Sequence, residues 1–193
     1  MTHKIIALSI LSALAISTPQ SCHAKNSTKE LTPANAHVRK KIEDLPNFHE
    51  VHPYFYRSGE PTKAGLKKLK EMGFSTLIDL RAPSEQKFDE KEAASELGLK
   101  YIRLVMTSAA PTKEQVDTVL GEIKKAEKDP SNGKVLLHCA HGSDRTGCMV
   151  GIWRVTQEGW NYDDAYKEMR KYWFTPKFVK LSGAVKEHAE KQQ

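Results

Sequence analysis

The sequence predicts an α/β domain, with a central, mostly parallel sheet of about four or five strands and helices on both faces. From residue 47 onward, short segments of strand character alternate with segments of helical spacing, which is typical of βαβ units. Residues 135–137 are wholly apolar, and the helical segment at residues 149–155 is apolar on nearly every side. A helix of that kind is expected to lie buried behind a sheet.

In the first half of the domain, strands alternate with helical segments. The strands are predicted at Tyr54–Tyr56, Ser75–Leu80 and Tyr101–Val105. Between the first and second strands, Thr62 caps an amphipathic helix that ends at Gly73. Between the second and third, residues 84–97 form a charged stretch with weak helical spacing.

The second half of the domain begins with a helix that has a clear start signal. Thr112 and Gln115 form a capping box in front of apolar residues at helical spacing. Residues 130–133, Pro-Ser-Asn-Gly, then make a turn before the apolar strand. Asn161 begins a further helix, and Pro176 fits the first turn of a last one.

Residues 1–24 have the layout of a secretory signal peptide. Lys4 gives a short positive start, residues 5–16 are apolar apart from two serines, and Ala24 is a small residue suited to cleavage. The apolar run is too short to span a bilayer. We therefore expect export, to a periplasm or to the medium, and no stable insertion into a membrane.

Behind the signal peptide, residues 25–45 form a polar lead-in and residues 46–193 a single folded domain, which we expect to be a monomer. The formal net charge of +6 falls to +5 when Lys4 leaves with the signal peptide. A surplus of this size favours anionic partners. Nucleic acid is not an expected partner, because the chain has no arginine-rich run and no basic stripe interleaved with aromatic residues.

The loop at residues 138–147, His-Cys-Ala-His-Gly-Ser-Asp-Arg-Thr-Gly, connects the apolar strand to the apolar helix. Gly142 permits backbone angles that other residues avoid, so the N–H groups of a short loop can point inward as an anion nest. The N-terminus of the helix adds a positive partial charge. We expect the substrate to bind through Ala140, His141, Gly142, Ser143 and Arg145.

The same loop predicts a nucleophile. Arg145 can hold two oxygens of a tetrahedral oxyanion with its planar fork. The field that holds the anion also stabilises a thiolate on Cys139, which makes it nucleophilic at neutral pH. This combination implies displacement at phosphorus through a phosphocysteine. Thr146 is then expected to hydrogen-bond the departing sulfur, and His138 to orient the loop through hydrogen bonds to the backbone.

The pattern His-Cys-x5-Arg-Thr-Gly resembles the signature of the protein tyrosine phosphatase superfamily, small bacterial dual-specificity and phytase-like members included. Residues 56–61, Tyr-Arg-Ser-Gly-Glu-Pro, and residues 79–81, Asp-Leu-Arg, resemble an entry strand and a strand end of small bacterial members. The resemblance covers about residues 47–190, and it implies a phosphatase that uses no metal and no cofactor.

The general acid departs from the usual pattern of that superfamily, in which an aspartate on a separate upstream loop supplies the proton. The corresponding stretch, residues 105–111, contains no acidic residue. The order Cys-x-x-Gly-x-Asp-Arg-Thr resembles phosphatases in which an aspartate within the loop has this role, which assigns it to Asp144. Asp89 and Glu85, from the charged stretch, are the alternatives.

Three further side chains have weaker signals. Cys148 is expected to be a buried apolar residue, although a regulatory disulfide with Cys139 is the alternative. Lys87 and Lys177 are candidate cations at the rim of the site, a prediction that rests only on their positions in the sequence.

The expected function is that of an exported phosphomonoesterase. Export, the basic chain and the aspartate within the loop favour inositol polyphosphates as substrates, whereas a secreted tyrosine or dual-specificity protein phosphatase is the alternative. A phosphate-binding module without catalysis would not need Cys139, and a sulfurtransferase would not need Arg145. Release of inorganic phosphate rather than thiocyanate separates these classes.

Overall fold

The structure, a computed structural model, describes residues 44–192. In this part of the chain five strands form one sheet: β1 (His49–His52), β2 (Phe55–Ser58), β3 (Phe74–Asp79), β4 (Lys100–Arg103) and β5 (Lys134–His138). Six α-helices accompany them: α1 (Lys63–Glu71), α2 (Glu90–Glu96), α3 (Lys113–Lys128), α4 (Asp144–Gln157), α5 (Tyr162–Lys171) and α6 (Val179–Glu190). The signal peptide and nearly all of the polar lead-in predicted from the sequence lie outside the described residues.

The sheet has the strand order β1-β2-β5-β3-β4. β5 pairs in parallel with β2 on one side and β3 on the other, and β4 pairs in parallel with β3. β1 is an antiparallel edge strand. The predicted α/β class is therefore confirmed, and the strand that carries the loop lies at the centre of the sheet.

Two apolar layers cover the sheet, one on each face. Successive side chains of a strand point to opposite faces, so Leu136 of β5 packs with α1 and α2 while its neighbours Val135 and Leu137 pack with α3 to α6. α4 lies at the centre of the larger layer, where Met149, Val150, Ile152, Trp153 and Val155 are all buried. This explains why that helix is apolar all round.

Most of the predicted helix starts agree with the structure. Thr62 and Asn161 accept a backbone N–H at the starts of α1 and α5, and Thr112 with Gln115 forms the expected capping box. Two details differ. The charged stretch is helical only over α2, behind a short 3-10 turn at Pro83–Glu85. The last helix starts at Val179, because residues 175–178 form a turn in which Phe178 N–H donates to Thr175 O, so Pro176 precedes the helix.

β1 was not predicted. Its sequence, His-Glu-Val-His, is short and polar, and its pairing with β2 is interrupted by an irregularity between Glu50 and His52. A half-exposed edge strand carries little of the apolar pattern that marks a strand in sequence. Within the described residues no helix has the length and apolar character needed to cross a membrane.

Candidate active site

Cys139 follows the last residue of β5, and its side chain is buried, with 2% exposure. Gly142 N–H donates to Cys139 Sγ at 3.2 Å, so the loop folds back over the sulfur. Gly142 has φ +73°, and a Cβ there would come within 2.5 Å of the backbone of Ser58 and Gly59. Glycine is required at this position for its backbone angle and for the space.

Arg145 lies in the first turn of α4 and extends to Glu85. Its Nη1 and Nη2 contact the two Glu85 oxygens at 2.8 and 2.7 Å, and Nη1 also donates to the carbonyls of Leu80 and Met106. The hydrogen bonds that Arg145 donates to Glu85 raise the pKa of Arg145, and negative charge on Cys139 acts in the same direction. The guanidinium is thus held charged and oriented before substrate arrives.

Of the three candidate acids, Asp144 has the most suitable position. Its Oδ1 accepts from Thr175 N–H at 2.7 Å, its Oδ2 lies 3.2 Å from Ser143 Oγ, and the residue lines the cavity. Glu85 is also on the cavity, but the hydrogen bonds from Arg145 lower its pKa. Asp89 caps α2 by accepting Glu92 N–H and does not line the cavity. A general acid must carry a proton at working pH, which disfavours Glu85.

The cavity in front of the loop has a volume of about 650 Å³. Residues from four separate segments line it: Ala82, Glu85, Met106, Thr107, Ser108, His141, Ser143, Asp144, Arg145, Thr175, Lys177, Phe178 and Leu181. Charged groups and apolar side chains therefore share one opening. Lys177 is at the site as expected, whereas Lys87 lies beside Glu60, with Nζ 3.3 Å from Oε2.

Comparison with known proteins then identifies the family. Residues 30–187 match the family described as DSP-PTPase phosphatase fused to NAD+ kinase. The chain belongs to this family. It is 25% identical over 168 residues to the dual specificity protein phosphatase TpbA of Pseudomonas aeruginosa, covering 87% of this chain and 71% of that protein.

Two further comparisons agree with membership of the DSP-PTPase family. The chain is 33% identical over 129 residues to inositol diphosphatase DSP3 of Arabidopsis thaliana, covering 65% of this chain and 61% of that protein. The crystal structure of P. aeruginosa TpbA matches the fold with a TM-score of 0.61 at 24% identity, covering 73% of this chain and 84% of that one. The chain is a phosphatase of the protein tyrosine phosphatase superfamily and a phosphoric monoester hydrolase.

The DSP-PTPase fold arranges the predicted site residues in two groups. His141, Ser143, Asp144 and Arg145 line the cavity. Cys139, Gly142 and Thr146 are buried, and Ala140 is half-buried. The Thr146 hydroxyl has no hydrogen-bond partner in the described part of the chain, so the expected bond to the sulfur is not formed in this state.

The Cys148 thiol is buried in α4 and donates to Leu181 O at 3.3 Å. Burial raises its pKa to about 12. Both Cys139 and Cys148 are free thiols. The position of Cys148 against α6 fits the expected buried, apolar role. A neutral thiol is a poor participant in disulfide exchange, which disfavours the alternative of a regulatory disulfide with Cys139.

The sequence predicts that His138 orients the loop through hydrogen bonds to the backbone. The structure places its ring elsewhere. Its ring is fully buried, with Nε2 2.9 Å from Glu90 Oε1 and Nδ1 4.0 Å from Asp79 Oδ1. Burial disfavours the charged ring, but Glu90 and Asp79 outweigh burial and raise the pKa of His138. An imidazole paired with carboxylates in the interior is a stronger partner for those side chains than for a backbone carbonyl.

Arg81 completes this buried cluster. Its guanidinium pairs with Asp79 at 2.8 Å, with Glu60 at 2.5 Å and with Glu90. Asp79, Glu90 and His138 bring metal-ligand atoms within 4.8 Å of one another, yet both carboxylates already share the charge of Arg81. The cluster is therefore an ion network under the loop. Sequence reasoning missed it, since its members come from separate segments.

Proposed function

We propose that this chain is an exported cysteine phosphatase that hydrolyses inositol polyphosphates through a phosphocysteine on Cys139. The observation that carries the proposal is the folded loop, in which Gly142 N–H donates to Cys139 Sγ at 3.2 Å while Arg145 opens onto the cavity. The sulfur thus accepts a backbone N–H within the loop, and Arg145 is placed to hold phosphoryl oxygens in front of it. The thiolate is the form that attacks phosphorus.

The reaction has two displacements. Cys139 Sγ attacks phosphorus, the P–O bond to the leaving group breaks, and the leaving oxygen takes a proton. Water then attacks the phosphocysteine, the S–P bond breaks, and inorganic phosphate and the thiolate are released. Glu85 and two carbonyls occupy Arg145 Nη1, which leaves Nε and the second N–H of Nη2 as a fork for two phosphoryl oxygens.

Asp144 is the proposed proton donor. It lines the cavity next to Arg145, where Thr175 N–H donates to its Oδ1 and Ser143 Oγ donates to its Oδ2, so the carboxyl group is held at the opening. In the second step the same carboxylate takes a proton from the attacking water. The assignment rests on position, because Glu85 is held ionised by Arg145 and Asp89 caps a helix away from the cavity.

The cavity supports an inositol polyphosphate as substrate. A volume of about 650 Å³ suits a small ring with several phosphates. Lys177 and His141 at the opening are available to phosphates that are not being cleaved. The relative DSP3 is named an inositol diphosphatase. We therefore include a phosphoanhydride, beside the phosphomonoester, among the bonds that the enzyme is proposed to cleave. A leaving phosphate is much less basic than an inositol hydroxyl, so that bond depends less on the general acid.

A protein phosphotyrosine is the second candidate substrate, because part of the cavity wall is apolar. Met106, Phe178 and Leu181 line the opening and would pack against a tyrosine ring. The relative TpbA is named a dual specificity protein phosphatase, which supports the same alternative.

A phosphate-release panel tests the proposal. We expect kcat/KM for inositol hexakisphosphate and a diphosphoinositol phosphate to exceed that for phosphotyrosine peptides. A higher value for the peptides would replace the inositol proposal by the protein-phosphatase one. Mass spectrometry of acid-quenched enzyme should find phosphate on the peptide that contains Cys139.

Two cysteine variants give a matched comparison in the same assay. Cys139→Ser should lose turnover and phosphoenzyme formation, since an alcohol is not ionised at neutral pH. Cys148→Ser should keep both, because its hydroxyl can still donate to Leu181 O. Phosphatase activity of Cys139→Ser near the wild-type rate would contradict the proposed nucleophile.

Export rests on the sequence of residues 1–24. Expression of the full chain in a Gram-negative host should yield a mature protein that begins at Lys25 in the periplasmic fraction or the medium. N-terminal sequencing of the fractions checks this, and an uncleaved chain in the cytoplasm would contradict export.

A further inference from the structure

Three consecutive carbonyls of the loop are each held from outside by a different donor. Glu60 N–H donates to Ala140 O at 3.2 Å. Asn47 Nδ2 donates to His141 O at 3.2 Å. Arg57 Nη2 donates to Gly142 O at 2.7 Å. These donors come from the segment before β1, from β2 and from the turn after it, all far from the loop in sequence.

Holding a carbonyl also fixes the N–H that follows it. A trans peptide places its C=O and N–H on opposite sides of the chain. When Asn47 holds the His141 carbonyl outward, Gly142 N–H turns inward, and it is found on Cys139 Sγ at 3.2 Å. The Arg57 bond to Gly142 O acts in the same way on Ser143 N–H.

Two inward N–H groups are left without a partner. In the described part of the chain, His141 N–H and Ser143 N–H donate to no carbonyl or side chain. With Gly142 N–H they form a row of donors whose orientation is set by the three outer hydrogen bonds. Such a row is a nest for an oxyanion.

Arg57 is an unusual residue for a purely structural role. Its side chain is 1% exposed, it lies over the Tyr172 ring at 4.5 Å, and its Nε and Nη1 have no hydrogen-bond partner in the described residues. A buried guanidinium that is incompletely paired costs stability. Among the described residues it makes one hydrogen bond, the charged one to the loop, which is of a type about twice as strong as a neutral one.

Asn47 is also specialised. It has φ +50°, a left-handed angle that asparagine tolerates better than most side chains. The adjacent Pro46 O accepts Gly59 N–H at 2.7 Å, which ties this segment to the turn after β2. The amide of Asn47 is thereby held within reach of the loop.

We propose that Arg57 and Asn47 are positioning residues that preset the Gly142 and His141 carbonyls and so aim the loop N–H groups at a bound oxyanion. The inference rests on the proposed function, because the oxyanion is the phosphoryl group attacked by Cys139. Neither side chain touches the substrate. Both act through the backbone of the loop.

The test uses inorganic tungstate as the oxyanion and the full-length mature protein. Its affinity is measured by calorimetry and as a competitive inhibition constant, well below the melting temperature of each variant. We expect Arg57→Met and Asn47→Gly each to weaken tungstate binding by about tenfold or more and to lower kcat, as the loss of an aligned oxyanion donor does. Asn47→Gly keeps the left-handed backbone angle and removes only the amide.

Matched controls separate positioning from general destabilisation. Asn132→Gly removes an amide that donates to Lys125 O at 3.1 Å, in the turn before β5 and so at the end of that strand opposite the loop. Arg154→Met removes another buried guanidinium, one that pairs with Glu158 and Glu168. Both should leave tungstate affinity within about twofold of wild type, whatever their effect on the melting temperature.

Amide NMR gives a readout that a merely structural role would not change. In wild type, tungstate should shift the N–H resonances of His141, Gly142 and Ser143. Arg57→Met should reduce the shift at Ser143, and Asn47→Gly the shift at Gly142. If Arg57→Met does not fold, Asn47→Gly decides alone.

The possible failures are distinguishable. If wild type bound no tungstate, the proposed function would be wrong. If wild type bound it and the folded variants bound equally well with unchanged amide shifts, only the positioning role would be overturned.

Discussion

In the proposed mechanism, the two sides of the Arg145 guanidinium have two different tasks. One side is bound to Glu85, with Nη1 and Nη2 at 2.8 and 2.7 Å from its oxygens. The other side, Nε with Nη2, is left for the phosphoryl group. A lysine ammonium has one nitrogen and cannot do both at once.

Arg145→Lys should therefore lower kcat/KM by about 100-fold or more although the charge is kept. Arg154→Lys is the matched control, because Arg154 also makes a two-point contact, with Glu168 at 3.0 and 2.8 Å, but not at the cavity. It should stay near the wild-type rate. Steady-state kinetics on p-nitrophenyl phosphate checks both, and an active Arg145→Lys enzyme would contradict the fork.

Asp144→Asn should discriminate between leaving groups. General acid catalysis is worth roughly 10²–10⁴-fold where the leaving oxygen needs a proton. An inositol hydroxyl needs it, whereas p-nitrophenolate departs as an anion. Single-turnover phosphoenzyme formation should fall far more on inositol phosphates than on p-nitrophenyl phosphate. Equal losses would indicate that Asp144 only positions the loop through Thr175, and no loss would move the role to Asp89 or Glu85.

At the scale of the element, the unit that matters is β5, the loop and α4. β5 is paired on both sides, so its end is fixed in space. α4 is buried on almost every side, so its start is fixed as well. The loop between two rigid elements has little freedom, and Gly142 at φ +73° makes its reversal possible.

Gly142→Ala should abolish the loop geometry, whereas Gly159→Ala should not. Both glycines have positive φ, +73° and +69°, so both variants bear about 1–2 kcal/mol of backbone strain. Only at Gly142 does a Cβ meet backbone, at 2.5 Å, since nothing lies within 4 Å at Gly159. We expect Gly142→Ala to lower the melting temperature more than Gly159→Ala does, and only Gly142→Ala to lose activity. Full activity of that variant would contradict the close approach to β2.

At the scale of the whole molecule, the buried network of Asp79, Arg81, Glu60, Glu90 and His138 joins β3, β5 and α2 beneath the loop. The carboxylates of Asp79 and Glu60 have lowered pKa values despite burial, because hydrogen bonds from Arg81 stabilise ionised Asp79, and the Lys87 N–H followed by the Arg81 charge stabilise ionised Glu60. His138 has a raised pKa. Such a network is most favourable when every member is charged.

The free energy of unfolding should therefore peak between about pH 5 and pH 6.5. The lowered carboxylate pKa values stabilise the fold above their ordinary values of 3.8 and 4.5, and that contribution is lost as pH falls through the folded pKa. The raised pKa of His138 stabilises it below its ordinary value of 6.5, and that contribution is lost as pH rises through the folded pKa. Urea unfolding across pH measures the profile.

Glu90→Gln should reduce the stability and flatten the alkaline side of this profile, because Glu90 holds the proton on His138. Glu187→Gln, which removes an exposed ion pair with Lys191, is the control and should change neither. An unchanged alkaline slope in Glu90→Gln would show that His138 is not the group that titrates.

The sequence by itself determined the loop and its immediate surroundings. Residues 138–147 are contiguous, so nucleophile, glycine and arginine could be recognised together, and the flanking apolar segments placed them between a central strand and a buried helix. Helix starts at Thr62, Thr112 and Asn161 were also local, since a cap binds a backbone N–H only a few residues away.

Only the tertiary structure decided which side chains support that loop. Arg145 meets Glu85 across 60 residues, Arg57 meets Gly142 across 85, and Asn47 meets His141 across 94. The His138 ring pairs with a buried carboxylate instead of the backbone, and Asp144 accepts a hydrogen bond from Thr175 N–H. No periodicity marks such pairs, because contacts between distant segments form where the sheet order brings strand ends together, and that order is set by packing of the whole chain.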